Sequence, residues 1–164
     1  MYMGVTVQAA IRDSDLLYER AFDQHWRPVF RFVLAWTNDW GAAEDLTQEA
    51  FLRLWRSRDR VDWSEPILPW LLVAGRHLAT DRFRALRRRV LPQSEPAGLD
   101  ESVRARWLDV QAALSNLSAL ERTAVVLTLF EGASTADVAE ILNTTPGAIR
   151  AAVSRAREKL EEAR

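Results

Sequence analysis

The stretch STADVAEILNTTPGAIRAAVSRAREKLEE, residues 134–162, decides how the C-terminal part of this chain folds. Ser134 with Asp137 three positions on resembles a capping box, so a short helix is predicted over 134–142. Asn143-Thr144 turns the chain. Thr145 is placed to cap a second helix, and Pro146 stands at its first position, where a missing N–H costs nothing. That helix is predicted to run to about Glu162. Ile149, Val153, Ala156 and Leu160 form its apolar stripe, and Ala139 supplies the small residue that lets two helices cross closely. The pattern is that of a helix-turn-helix. Arg150, Ala151, Ser154 and Arg155 then face outward, with Gly147 near the helix start. Arg150 and Arg155 are placed to reach base edges or phosphates in a major groove, and Thr145 with the amides beside it can hold a phosphate. The same pattern also suits a plain helical hairpin that touches no DNA.

Working backwards, Ser118-x-x-Glu121 is a capping box that opens an apolar helix through Phe130, which Glu131-Gly132 ends. A helix over about 103–114 precedes it. Residues 90–102 are rich in Pro, Ser, Gly and acids and read as a linker. The boundaries predicted are therefore a tail over 1–13, a helical domain over 14–89, the linker over 90–102 and a helix-turn-helix domain over 103–164. The fold class is all-α, two small helical domains joined by a flexible linker.

In the first domain, Asp13 or Ser14 is expected to cap a helix running to about Thr37, with Leu17, Phe22, Val29, Val33 and Trp36 at helical spacing. Pro28 is expected to kink or split it. After a turn at 38–41, a helix is predicted from about Ala42 to Arg58. Within it, EDLTQEAFLRLWR (44–56) places Leu46, Ala50, Phe51 and Leu54 on one face. Asp45, Gln48, Glu49 and Arg56 gather opposite, with Leu52 in the middle of that polar stripe. The stripe is either a solvated face with one stray Leu or a small docking patch.

Residues 59–69 read as an ordered loop around Trp63. A helix follows from about Trp70 to Arg89, its apolar set including Leu71, Ala74, Gly75 and Leu78. Arg76, Thr80, Arg84 and Arg87 lie on its other side, flanked by His77 and Arg88. Asp81 is the helix's only acid, so a polyanion is the natural partner for this face if it is not simply solvated. Trp63 and Trp70 suit either stacking on single-stranded bases or core packing. His77 can hydrogen-bond a ligand or merely sit on the helix surface. Arg82 falls among the apolar positions and must snorkel out or find a partner.

Bulk composition narrows the rest. The formal net charge is −1, so nucleic-acid binding must come from local patches. The chain has no cysteine, which excludes disulfides and cysteine-ligated zinc and fits a reducing cytosol. His25 and His77 are far apart and suggest no metal site; no cofactor is called for. Neither a signal peptide nor a membrane-spanning run is present, and no catalytic constellation stands out. An enzyme is the weakest of the readings.

The segment GAAEDLTQEAFLRLW (41–55) resembles the core-polymerase-binding helix of bacterial sigma factors, most of all the extracytoplasmic-function (ECF) group. EGASTADVAEIL (131–142) and PGAIRAAVSRAREKL (146–160) resemble that family's helix-turn-helix. Trp70-Leu71-x-x-Ala74-x-Arg76-x-Leu78-Ala79-x-Asp81 is similar to its promoter-melting segment. The resemblance implies a transcription initiation factor. Asp45, Gln48, Glu49, Leu52 and Arg56 would grip core RNA polymerase. Trp63, Trp70, Arg76, His77, Thr80, Arg84, Arg87 and Arg88 would engage the promoter −10 element. Thr145, Gly147, Arg150, Ala151, Ser154 and Arg155 would read the −35 element. It further implies an anti-sigma partner and a cytoplasmic location. The chain departs from the family pattern at Ile67, Pro69 and His77. It departs again at Ala148, Ala151 and Ala152, where Thr, Ser and Arg are usual and three polar contacts would be lost. The alternative is a polymerase-independent helix-turn-helix regulator, which leaves Asp45, Gln48 and Glu49 without a role.

Overall fold

A computed structural model describes the backbone of residues 3–86 and 100–162, with side chains from residue 13 onward except at 85–86, 103–104 and 106–107. Every regular element among these residues is helical: α1 (Met3–Thr37), α2 (Trp40–Ser57), α3 (Ile67–Leu86), α4 (Glu101–Ser115), α5 (Ala119–Val125), α6 (Thr135–Ile141) and α7 (Pro146–Glu162). A π-helical turn, Val126–Phe130, prolongs α5.

Helix α1 begins ten residues before the predicted cap, so most of the expected tail is helical backbone. Ser14 lies inside it, buried, and its hydroxyl donates to Asp59 Oδ1 at 2.7 Å. A side chain spent on a tertiary bond is not a cap, and after Gly4 nothing before Ser14 breaks a helix. Nor does Pro28 split α1, whose next turn carries the fully buried Val29, Phe32 and Val33. Packing of that face outweighs the one hydrogen bond that proline forgoes.

Helix α2 starts at Trp40, two residues early, because Asp39 is its cap and accepts from the Ala42 amide at 2.7 Å. Asn38 turns the chain with φ 53°. Helix α3 also starts early, at Ile67, with Pro69 in the first turn, where its missing N–H is not needed. Gly75 lets α3 meet α1 closely: a Cβ there would stand 3.0 Å from Val33 Cγ2. Phe51 and Leu54 of α2 and Leu71 of α3 fill this core. Tyr18, Phe22 and Trp26 of α1 pack their rings against α2, Phe22 edge-on to Phe51 at 5.0 Å.

The C-terminal half forms as its caps dictate. Ser118 and Glu121 make both bonds of the capping box. Gly132 (φ +68°) ends the π turn, and Ser134 caps α6. Asn143 (φ 51°) turns the chain into α7, where Thr145 Oγ1 accepts from the Ala148 amide at 3.2 Å. The helix-turn-helix is therefore formed from 134 to 162. The linker of 90–102 lies outside the described residues up to 99, and α4, opening at Glu101, takes in its last two residues.

One arrangement has no counterpart in the sequence reading. The two halves share a continuous apolar core, in which Ala124, Leu127, Val138 and Ile149 join the cluster of α1, α2 and α3. Arg122 of α5 reaches into the end of α1. Its Nε donates to Ala35 O at 2.6 Å, Nη2 to Trp36 O at 3.5 Å, and Nη1 to Leu117 O.

Candidate functional site

The outer face of α2 is as the helical wheel placed it. Asp45, Gln48, Leu52 and Arg56 are exposed, and Glu49 is half-buried. Leu52 stands 44% exposed. Glu49 Oε1 lies 3.6 Å from both Arg53 Nε and Arg56 Nη1, which leaves it loosely held. Arg82 does find a partner: its Nη1 lies 3.6 Å from Asp45 Oδ2, tying α3 to this face. The sequence reading missed Trp55 as part of the patch. The ring is partly exposed, with the Arg58 guanidinium 3.8 Å from its centroid and Tyr18 edge-on at 4.9 Å. The signal was available, since Trp55 lies about 20° from Gln48 on the wheel.

On α3 the basic strip is mostly open. His77 and Arg84 are exposed, and Arg84 Nη1 is 4.0 Å from Asp81. Arg76 is half-buried, its Nε buried without a partner, and its Nη2 sits 2.9 Å from His77 Nε2. A guanidinium can only donate, so Nε2 is the acceptor side of this contact. The Thr80 hydroxyl is turned back onto Arg76 O at 2.8 Å. Arg87 and Arg88 lie outside the described residues.

The two tryptophans part company. Trp63 packs against the core, and its indole N–H donates to Arg58 O at 2.9 Å, so it shapes the loop. Trp70 is 40% exposed and borders a cleft of about 420 Å³ with Arg60, Asp62, Glu65 and Ile67. Hydrogen bonds from the Ser64 hydroxyl (2.6 Å) and amide (3.0 Å) hold the Asp62 carboxyl below its ordinary range. Loop residues without a period gave no sequence signal for this cleft.

On α7, Thr145, Gly147, Arg150, Ala151, Ser154 and Arg155 are all exposed. Arg150 has no charged partner among the described residues. Arg155 differs, because its Nε donates to Glu121 Oε1 at 3.2 Å while Lys159 Nζ donates to Oε2 at 2.8 Å. The Glu121 side chain is only 4% exposed. The Lys159 hydrogen bond, supported by the Ser118 amide and Arg155, outweighs desolvation and draws its carboxyl down to about 2. The Ser154 hydroxyl donates to Glu158 at 3.4 Å. Ala152 is fully buried, three residues after Ile149 on the packing face of α7, whereas Ala151 is exposed.

Two helical modules, one with an outward polar-and-leucine face and the other with a formed helix-turn-helix, describe a DNA-binding protein of transcription. Comparison with known proteins makes the class definite. Residues 21–89 match the family model described as Sigma-70 region 2, and residues 107–160 match that of Sigma-70, region 4. The ECF RNA polymerase sigma factor SigC of Mycobacterium tuberculosis is 36% identical over 139 residues, 80% of this chain and 75% of that protein. The RNA polymerase sigma factor CarQ of Myxococcus xanthus is 33% identical over 155 residues, 88% of this chain and 87% of that one. In fold the chain resembles the sigma factor RpoE of Bartonella quintana, solved with the anti-sigma factor NepR. The TM-score is 0.72 at 24% identity, over 88% of this chain and 94% of that one. It also resembles CnrH, solved with the cytosolic domain of CnrY, with TM-score 0.66 at 21% identity over 89% and 86%. The chain belongs to the sigma-70 family of RNA polymerase sigma factors, in its ECF group. Sigma factors are regulatory DNA-binding proteins, and this one acts in promoter-directed initiation of transcription. Among the described residues no helix is long and apolar enough to cross a membrane.

Proposed function

We propose that residues 14–89 and 103–164 work as two recognition units on one promoter, delivered by core RNA polymerase. Asp45, Gln48, Glu49, Leu52 and Arg56 form the polymerase contact, extended by Trp55. The unit works by placement and does no bond chemistry. Trp70, Arg76, His77, Thr80 and Arg84, with Arg87 and Arg88, take the opened strand of the −10 element, and Trp63 holds the loop beside them. A basic strip beside an exposed ring suits single-stranded DNA, where phosphates meet arginines and a base stacks on the indole. Arg150 and Ala151 face base edges of the −35 duplex, while Thr145 and Gly147 hold a phosphate at the start of α7. Ser154 flanks them, and Arg155 divides its guanidinium between Glu121 and the DNA backbone. The protein works in the cytoplasm. An anti-sigma protein covers these surfaces when the factor is idle, as the complexes of RpoE and CnrH suggest.

The observation that carries this reading is the α2 face. An exposed Leu among loosely paired charges is ready to exchange those pairs for a partner's. The test is co-elution with purified bacterial core RNA polymerase. Wild type is expected to bind, and Gln48→Ala/Glu49→Ala to bind at least about tenfold more weakly, equivalent to about 1.4 kcal/mol. A folded wild-type protein that does not co-elute would sink the proposal.

A further inference from the structure

Arg58 stands where α1, α2 and the loop before α3 meet. It is the C-cap residue of α2, immediately after Ser57. Its Nε donates to Asp15 Oδ1 of α1 at 2.6 Å, and its Nη1 donates to Trp55 O at 2.9 Å. The same guanidinium lies over the Trp55 indole, 3.8 Å from its centroid. One cation thus holds an acid 43 residues back, a carbonyl at the end of α2 and an aromatic face. A guanidinium can do all of this at once, because its donors lie in a fixed plane and its faces stack; an ammonium cannot. The pair with Asp15 is more sheltered than an ordinary surface pair, since the Arg58 side chain is only 19% exposed. The next residue is tied to the same stretch of α1, where the Ser14 hydroxyl donates to Asp59 Oδ1 at 2.7 Å.

The effect falls on Trp55. Tyr18, three residues after Asp15 on α1, meets the Trp55 ring edge-on at 4.9 Å. The ring is held by Arg58 and Tyr18, yet the residue stays 36% exposed. It follows Gln48 and Leu52 along the outward stripe of α2, seven and three residues on. Exposed tryptophans are strong anchors at protein interfaces. A ring whose torsions are already fixed loses less freedom on docking.

We propose that Asp15 and Arg58 are positioning residues for the polymerase contact: they clamp the Trp55 indole in the pose in which it docks. The clamp rests on the function proposed above, in which α2 faces core polymerase. Asp15 and Arg58 act through the ring. The test is a double-mutant cycle, read by titrating the whole chain with purified bacterial core RNA polymerase. Trp55→Ala removes the anchor and is expected to weaken binding about tenfold. Arg58→Lys keeps the charge and loses the flat stack with its fork, and Asp15→Ala removes the acceptor that aims it. Each is expected to weaken binding about threefold or more. In the Trp55→Ala background the same two substitutions are expected to change affinity by less than about 1.5-fold, because the ring they position is gone. A purely structural role would instead lower the urea midpoint and cost the same affinity with or without the ring. Undiminished affinity in Arg58→Lys or in Asp15→Ala, or an equal loss in both backgrounds, would overturn the clamp. Wild type that fails to bind would overturn the polymerase reading itself. Wild-type binding that Gln48→Ala/Glu49→Ala weakens and Arg58→Lys does not would overturn the clamp alone.

Discussion

The two surfaces assigned to DNA, α7 and α3, are held in opposite ways. Helix α7 is fastened from behind. Glu121, almost fully buried, takes hydrogen bonds from Arg155 and Lys159 as well as from the Ser118 amide. Its outward Arg150 is left free for a ligand. The α3 strip is loosely held by comparison, with Arg84 at the edge of contact with Asp81 and Arg76 Nε unpartnered. Duplex reading needs a helix fixed in pose, because a base edge offers its hydrogen bonds at defined positions. Capture of a flexible single strand tolerates and uses mobile side chains.

Removing the fastening should have the largest effect. Glu121→Ala leaves a buried amide and two cations without their acceptor. Since Arg155 and Lys159 are about half exposed, the cost is expected at about 2–3 kcal/mol, below that of a fully buried pair. Urea unfolding measures it, and a change below about 0.5 kcal/mol would show that α7 is set by apolar packing alone. The same group fixes a pH dependence. Its folded carboxyl sits near 2 against an ordinary 4.5, so the contribution is complete above about pH 4.5 and disappears as pH falls towards 2. Wild type should therefore lose stability over that window more steeply than Glu121→Gln. Parallel curves would remove Glu121 from the account.

The next test separates two arginines that look alike in sequence. Arg150→Ala should cost about 1–3 kcal/mol in binding to the −35 duplex, roughly tenfold or more, with the urea midpoint unchanged. Arg155→Ala should do the reverse, lowering stability by about 1 kcal/mol with a smaller loss of binding. Exchange of the two results would break the contrast between the fastened and the free residue on α7.

This pair also shows what could be read in the sequence. The helix-turn-helix was legible because its determinants are local: Ser134, Thr145 and Pro146 within a few residues of the helices they start, and Ile149 and Ala156 at helical spacing. The α2 face was legible for the same reason. Arg155's partner was not, because Glu121 is 34 residues away and is already accounted for locally as a capping-box residue. The seam between the two halves was invisible on the same ground, since Arg122 reaches a carbonyl 87 residues distant. Ser14 is not the cap its residue type predicts, because the hydroxyl that makes a good cap also makes a good tertiary bond. Trp63 suits either stacking or packing by sequence, and the bond from its indole N–H to the Arg58 carbonyl, five residues back, ties it to the loop.

The smallest effect belongs to α3, and it tests the loose half of the comparison. The Arg84–Asp81 pair spans 4.0 Å between side chains more than 70% exposed. Such a pair contributes about 0–1 kcal/mol, so a phosphate can take Arg84 from Asp81 at little cost. Each phosphate neutralised on single-stranded DNA adds about 0.7 to the slope of log affinity against log salt. Arg84→Ala in the polymerase complex should therefore lower that slope by about 0.7 on a promoter with a pre-opened −10 region, with the urea midpoint unmoved. Asp81→Ala should leave the slope as it is, because the acid's own screened charge is its only hold on Arg84. If Arg84→Ala left the slope unchanged and lowered stability instead, α3 would be a structural helix with a solvated face. The openness of its arginines would then say nothing about DNA.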